Sequence, residues 1–173
     1  MNPKEQEMMQ KWMAFSTPGV NHKVLEPMTG SWRYVSKMWQ TPKAKPIETS
    51  GTSEMKMVMG GRYLQQEIKG QMMGQPFEGL GFIGYNNLTK QHETTWLDNM
   101  GTAMMRGAGS FDAKTKTLKD SGQHSCPLSD DKTREFRSEW TQVDKNTMKF
   151  VMYGPDVETG KEFKQIEINY KRQ

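Results

Sequence analysis

The chain has 173 residues, of which 34% are hydrophobic and 25% charged, and a formal net charge of +4 at pH 7. This length and composition predict one soluble domain with a modest core. The 24 basic and 20 acidic side chains are interleaved and form no basic block, which argues against nucleic-acid binding.

The single cysteine, Cys126, excludes an intramolecular disulfide and is typical of a reducing compartment. Charged side chains interrupt the first fifteen residues, where a signal peptide would be apolar. No apolar run approaches the roughly 20 residues of a transmembrane helix. We therefore expect a cytoplasmic protein that does not insert into a membrane.

The first 28 residues have helical character. Residues 3–15 predict a helix, because Asn2 can cap it, Pro3 suits its first turn and an apolar stripe includes Met9 and Trp12. A second short helix is predicted over residues 19–25. Because helices this short are unstable alone in water, we expect them to cover one end of the remaining structure.

The rest of the chain predicts ten strands joined mostly by short turns. Alternation of polar and apolar residues places Trp32 and Tyr34 inside on the first strand, and Leu64, Gln66 and Ile68 inside on the third. The predicted strands are 30–39, 47–59, 63–71, 77–85, 92–98, 102–111, 117–126, 132–143, 147–153 and 162–171.

Turn and glycine signals favour one closed sheet. Gly60-Gly61 is a strong hairpin signal, and the glycines at 79, 81 and 84 indicate sharp curvature or the close approach of another backbone. Ten successive antiparallel strands hide their edges best by closing on themselves. The fold class is therefore all-β, a ten-stranded antiparallel lipocalin-like closed barrel (29–173) with an N-terminal helical cap (1–28).

Several motifs carry a family resemblance. Gly30-Ser31-Trp32 behind a short helix resembles the Gly-x-Trp signature of lipocalin-like (calycin) barrels. A longer set resembles the bacterial family known as domain of unknown function 1579, over roughly residues 20–173. The resemblance implies a lipocalin-like barrel and carries over no catalytic residues. Its motifs are Gly60-Gly61-Arg62-Tyr63-Leu64, residues 72–79, Gly84-Tyr85-Asn86, residues 96–101, residues 161–164 and residues 167–170.

The sixteen methionines leave two interpretations open, a methionine-rich core or a soft cavity for a ligand. A barrel with a soft wall favours a binder of a small apolar or amphipathic molecule. Asp98 or Arg106 would orient the polar end of that molecule, although Asp98 could instead cap its own turn. The predicted ligand-binding residues are Trp32, Met57, Leu64, Trp96, Asp98, Met104 and Arg106.

Two further functions remain as alternatives. The first is a cofactor-free enzyme with Asp98, Glu78 or His92 as acid or base in the same cavity. The second is a homodimeric interaction module that uses the methionine-rich N-terminal helix or a barrel face. We predict no cofactor and no metal site, since the three histidines lack ligand spacing. A haem ligand role for His124, and a nucleophile–base pair of Cys126 with His124, are weaker interpretations.

Overall fold

Ten antiparallel strands follow one another around a closed barrel in the computed structural model, which describes residues 2–173. Helix α1 spans Pro3–Ser16, helix α2 spans Val20–Lys23, and a 3₁₀ turn spans Glu26–Met28. The strands are β1 (Gly30–Met38), β2 (Ile47–Val58), β3 (Tyr63–Met72), β4 (Gln75–Asn86), β5 (Gln91–Asp98), β6 (Met105–Asp112), β7 (Thr117–Ser125), β8 (Thr133–Asp144), β9 (Thr147–Pro155) and β10 (Glu162–Arg172).

The barrel closes through the pairing of its first and last strands. Tyr34 on β1 lies opposite Tyr170 on β10, and Met38 lies opposite Ile166. Every other strand pairs with its neighbours in the chain, so the sheet has no free edge. The predicted ten-stranded closed barrel is confirmed.

Strand alternation directs the predicted side chains into the barrel. Trp32, Leu64 and Ile68 are buried, whereas Lys69 is exposed. The close approach predicted at the glycines of β4 also occurs, but its partners are aromatic rings and not a backbone. A Cβ on Gly79 would overlap the ring of Trp96. The absence of a side chain there is what allows this ring to lie against the wall.

Helix α2 and the 3₁₀ turn cover one end of the barrel, which we call the capped end. Leu25 and Met28 are almost completely buried there. Two side chains from the barrel hold the covering segment through its backbone carbonyls. Gln142 Nε2 donates to the carbonyl of Val24 at 3.0 Å, and His92 Nε2 donates to that of Asn21 at 3.0 Å.

The capped end is joined to the barrel seam by Arg172. Its guanidinium lies 4.1 Å from the ring centroid of Trp32. Its nitrogens donate to the carbonyls of Thr29 at 2.5 Å, Pro27 at 2.9 Å and Lys145 at 2.8 Å. The indole of Trp32 in turn donates to the carbonyl of Met28 at 3.0 Å. One cationic side chain thus links the last strand, the first strand and the cap.

Helix α1 does not cover the barrel, contrary to the expectation for the first helical segment. The predicted cap at Asn2 forms, with its side chain accepting from the Glu5 amide at 2.9 Å. However, no side chain of α1 is buried, and Trp12 is 65% exposed. The carbonyls at its end accept instead from Asn87 and Arg62. Within residues 2–173, no helix has the length and apolar character needed to cross a membrane.

We expect Arg172→Ala to lower the free energy of unfolding by about 2–3 kcal/mol, because it removes charge-assisted hydrogen bonds to three carbonyls and the stacking on Trp32. Arg33→Ala is the matched control, since Arg33 is exposed on the same barrel seam. Its cost should be within about 0.5 kcal/mol. Urea denaturation of the two variants measures both values, and equal costs would contradict the role given to Arg172.

The capped end should also make stability depend on pH. Burial lowers the pKa of His92 and of His22 below the ordinary 6.5. At and below about pH 6.5, these two histidines are therefore more protonated in the unfolded chain than in the folded chain. The free energy of unfolding is unaffected above that pH and falls as the pH drops below it. His92 Nδ1 is buried without a hydrogen-bond partner among the described residues, so the proton it would gain has no acceptor.

Replacement by a neutral side chain tests this dependence. Between pH 6.5 and 5, we expect His92→Gln to reduce the slope of unfolding free energy against pH by up to about 1.4 kcal/mol per pH unit. His124→Gln, at the other end of the barrel, is the control. The same slope in His92→Gln and wild type would show that His92 does not cause the acid sensitivity.

Candidate ligand-binding cavity

The barrel encloses a cavity of about 350 Å³. Its lining includes Met38 at the end of β1, Met72 at the end of β3 and Met105 at the start of β6. All three strand ends lie opposite the capped end, so the cavity opens there, and we call this the open end. The volume falls within the range of small-molecule pockets, about 300–1,000 Å³.

Methionine and aromatic side chains make up most of the apolar lining. Met73 and Met100 lie on turns at the open end and are 71% and 52% exposed. Methionine has three rotatable bonds and adapts its shape to a neighbour, so this rim can adjust to molecules of different outline. The apolar and aromatic lining residues are Tyr34, Met38, Ile68, Met72, Met73, Phe77, Phe82, Ile83, Trp96, Met100, Met105, Phe136, Trp140, Phe150, Met152, Ile166, Ile168 and Tyr170.

A carboxyl group interrupts this lining deep in the barrel. Asp120 on β7 is 6% exposed and accepts hydrogen bonds from Thr94 Oγ1 at 2.5 Å and from Ser138 Oγ. Burial raises the pKa of Asp120, and the two hydroxyl groups oppose that rise. Among the described residues that line the cavity, none is lysine, arginine or histidine. Asp120 therefore has hydroxyl partners and no cationic partner.

Gly107 on β6 provides the space in which Asp120 and Thr94 meet. These two residues belong to the strands on either side of β6, and their contact passes over its backbone. A Cβ at position 107 would lie 2.8 Å from Asp120 Oδ2, 2.9 Å from Thr94 Oγ1 and 3.1 Å from Phe136 Cζ. The first two distances are shorter than real Cβ contacts, so a side chain at position 107 would displace the Asp120 carboxyl group or the Thr94 hydroxyl group.

A second polar cluster lies at the inner end of the cavity, towards the capped end. Gln66 Nε2 donates to Ser53 Oγ at 3.1 Å and to the hydroxyl of Tyr170 at 3.2 Å. Complete burial raises the pKa of the Tyr170 phenol well above its usual range. The hydroxyl of Tyr34 lies close to Gly51 and Gly70, and burial raises its pKa as well. These neutral groups give the inner part of the cavity hydrogen-bonding capacity without charge.

Trp96 and Asp98 form the polar edge of the open end. Trp96 Nε1 donates to Asp98 Oδ2 at 2.8 Å, while Asp98 Oδ1 accepts from the Met100 amide at 2.9 Å. Asp98 therefore caps its turn, as one interpretation of the sequence held, and also orients the indole. Both residues line the cavity.

The remaining predicted ligand-binding residues lie outside the lining. Trp32 and Leu64 are buried towards the capped end, and Met57 packs against the same core cluster. Met104 and Arg106 are exposed, because β6 begins at Met105 and it is the Met105 side chain that turns inward. The sequence assignment on β6 was therefore displaced by one residue. For the two residues in the lining, contact with a ligand stays a prediction.

Asp120 was missed at the sequence level although a signal for it was present. Leu118, Asp120 and Gly122 alternate with Lys119, Ser121 and Gln123, and charged Lys119 marks the outward face. That parity alone directs Asp120 inward. The alternation could not show that two hydroxyl groups, from β5 and β8, donate hydrogen bonds to this carboxyl group.

The proposed acid–base residues do not converge. His92 contacts the covering segment, whereas Asp98 lies at the other end of β5, about 20 Å away at the usual rise of a strand. Glu78 is exposed. His124 lies beside Phe136 with its Nδ1 near the carbonyl of Ser125. Within residues 2–173, no three histidine, cysteine or acidic side chains are grouped so that they could hold a metal ion.

Comparison with solved structures places the fold among known barrels. The chain is similar to the crystal structure of Rv2717c from M. tuberculosis, with a TM-score of 0.66 and 13% identity, over 91% of this chain and 99% of that chain. It is also similar to the S-type phycobiliprotein lyase CPES from Guillardia theta, with a TM-score of 0.57 and 8% identity, over 90% and 98% of the respective chains. At these identities the similarity concerns the fold alone.

Sequence comparison gives the family. No curated protein matches the chain. The model of the family described as "Protein of unknown function (DUF1579)" matches residues 17–172, which include all ten strands and the segment that covers the barrel. The resemblance inferred from the turn motifs is thereby confirmed, and the chain belongs to the DUF1579 family.

Proposed function

We propose that this protein binds a small apolar or amphipathic molecule inside the barrel. The observation that carries the proposal is the open cavity of about 350 Å³ with a methionine and aromatic wall. A barrel that only needed stability would fill this space with its own side chains, since each unfilled volume in a core costs packing energy. Retention of an accessible apolar space is typical of ligand-binding barrels.

The two ends of the barrel have different roles in this proposal. The capped end is closed by buried side chains such as Leu25 and Met28, so a ligand would enter at the open end. Flexible methionines at the rim would move aside and then pack against it. Trp96 would supply a large aromatic surface in a fixed orientation, because Asp98 holds its indole nitrogen. We propose these two residues as ligand contacts near the entrance.

A cavity-filling substitution tests the proposal. Ser36 lines the cavity and is 5% exposed, so Ser36→Phe would place a ring in the space. We expect binding of Nile red, measured by its fluorescence, to weaken about tenfold or more, since overfilling a packed site costs ~1–3 kcal/mol. Ser50→Phe adds the same ring on the outer wall, where Ser50 is exposed, and should bind like wild type.

Two results would contradict the proposal. One is wild-type protein that does not bind the dye, and the other is equal loss of binding in the two serine variants. Mass spectrometry of wild-type protein purified under native conditions gives an independent measurement, in which we expect a bound apolar compound.

A second candidate function is self-association through α1. The exposed apolar stripe of this helix includes Met9, Trp12 and Met13, with Trp12 65% exposed. Exposed apolar patches of this kind are typical of interaction surfaces. The hydrogen bonds from Asn87 and Arg62 hold the end of the helix against the barrel, so the stripe has a defined direction. We propose that a second copy of the chain covers it, which is compatible with ligand binding.

Size-exclusion chromatography with light scattering tests the second candidate. We expect a dimer mass for wild type and a monomer mass for Trp12→Glu, because a charge at the centre of an apolar contact would be buried without a partner. Gln10→Glu is the matched control, since it adds the same charge on the polar side of α1. A monomeric wild-type protein would rule out the homodimer.

A further inference from the structure

The chemistry of the Asp120 site narrows the class of ligand. Asp120 contributes the deep carboxyl group of the cavity, while Asp98 lies at the open end and is partly exposed to solvent. A carboxylate can accept about four hydrogen bonds through its two oxygens. Thr94 and Ser138 supply one each. Asp120 therefore keeps acceptor capacity beyond these two hydroxyl groups, and it lines the cavity.

Hydroxyl groups do not neutralise a carboxylate. Burial of a charge in apolar surroundings is costly unless an opposite charge or several donors compensate for it. Within residues 2–173, the lining contains no cationic side chain. Asp120 is 6% exposed, so bulk water offers little compensation. A cationic group on a molecule that enters the cavity would supply the missing partner.

The surroundings of Asp120 suit a small cation. Asp120 Oδ2 and the edge of the Phe136 ring lie near each other above Gly107, at 2.8 and 3.1 Å from the Cβ position of residue 107. A buried carboxylate attracts an ammonium group through its charge and through charge-assisted hydrogen bonds. Towards the open end the lining is mostly apolar, with Asp98 at its edge. The combination matches a molecule with one cationic end and an apolar tail.

We propose that the cavity selects amphipathic amines, with the ammonium group against Asp120 and the apolar tail along the methionine and aromatic lining. This inference rests on the proposed ligand-binding function and adds the charge of the ligand to it. Thr94 and Ser138 act as positioning residues, since their hydroxyl groups hold the carboxyl group in one orientation.

Three probes of equal chain length test the proposal at pH 7.5, namely octylamine, octanol and octanoate. Isothermal titration calorimetry with wild-type protein should show octylamine binding about tenfold or more tighter than octanol, because hydrogen bonds to a charged group are stronger than neutral ones. Octanoate should bind most weakly, since its carboxylate would face Asp120. This order needs no variant and therefore does not depend on how a mutant folds.

Removal of the charge at Asp120 gives the second measurement. Asp120→Asn keeps the size of the side chain and should abolish the tenfold preference for octylamine while leaving octanol affinity within about threefold. Glu135→Gln is the control for net charge, since Glu135 is exposed on the outer face of β8. It should retain the wild-type order of the three probes.

The results with the dye and the three probes distinguish selectivity for amines from the binding of apolar ligands in general. If Nile red binds but octylamine and octanol bind equally well, or if Asp120→Asn keeps the amine preference, the amine selectivity is wrong and apolar ligand binding stands. If octanol or octanoate binds best, the site prefers a neutral or anionic end and the inference also fails. If neither the dye nor any of the three probes binds, both proposals fail together.

Discussion

The contact between Arg172 and Trp32 is the constraint on which the rest of the structure depends. Arg172 is at the end of the last strand and Trp32 is near the start of the first, so their stacking secures the seam where the barrel closes. The same guanidinium donates hydrogen bonds to the carbonyls of Pro27 and Thr29 in the segment that covers the barrel end. Closure of the barrel and attachment of the cap therefore share one side chain.

That arrangement makes the two ends of the barrel physically different. At the capped end, methionines such as Met28 and Met148 are buried in a well-packed core. At the open end, Met73 and Met100 are exposed and surround the entrance. Methionines thus occur both in a packed core and around an open cavity. The capped end provides rigidity, and the soft open end leaves a space in which a ligand can be held.

Contacts that cross a strand explain how a small barrel places specific groups in its interior. The ring of Trp96 lies on the backbone of β4 at Gly79 and Gly81, and Asp120 reaches Thr94 over Gly107. In each case a glycine removes the side chain that would otherwise separate the two partners. Glycine in a strand lowers stability, so its use at these points favours geometry inside the cavity over the strength of the sheet.

The sequence by itself determined the number of strands, their order and most of their inward faces, because alternation and turn glycines act over a few neighbouring residues. Trp32, Leu64 and Ile68 were placed correctly in this way. It did not determine that the side chains of α1 remain exposed, since an apolar stripe does not show which surface it packs against. Nor did it determine the start of β6, where a shift of one residue exchanged exposed Arg106 for inward Met105.

Only the tertiary structure decided where the chemistry lies. Asp120, Thr94 and Ser138 come from three different strands, and nothing in their sequence separation indicates that they meet. Their meeting depends on the register of β5, β6, β7 and β8 around a closed sheet and on the missing side chain at Gly107. Local patterns determine which side chains of a strand point into the barrel. Which of these inward side chains meet depends on the register of all the strands around the closed sheet.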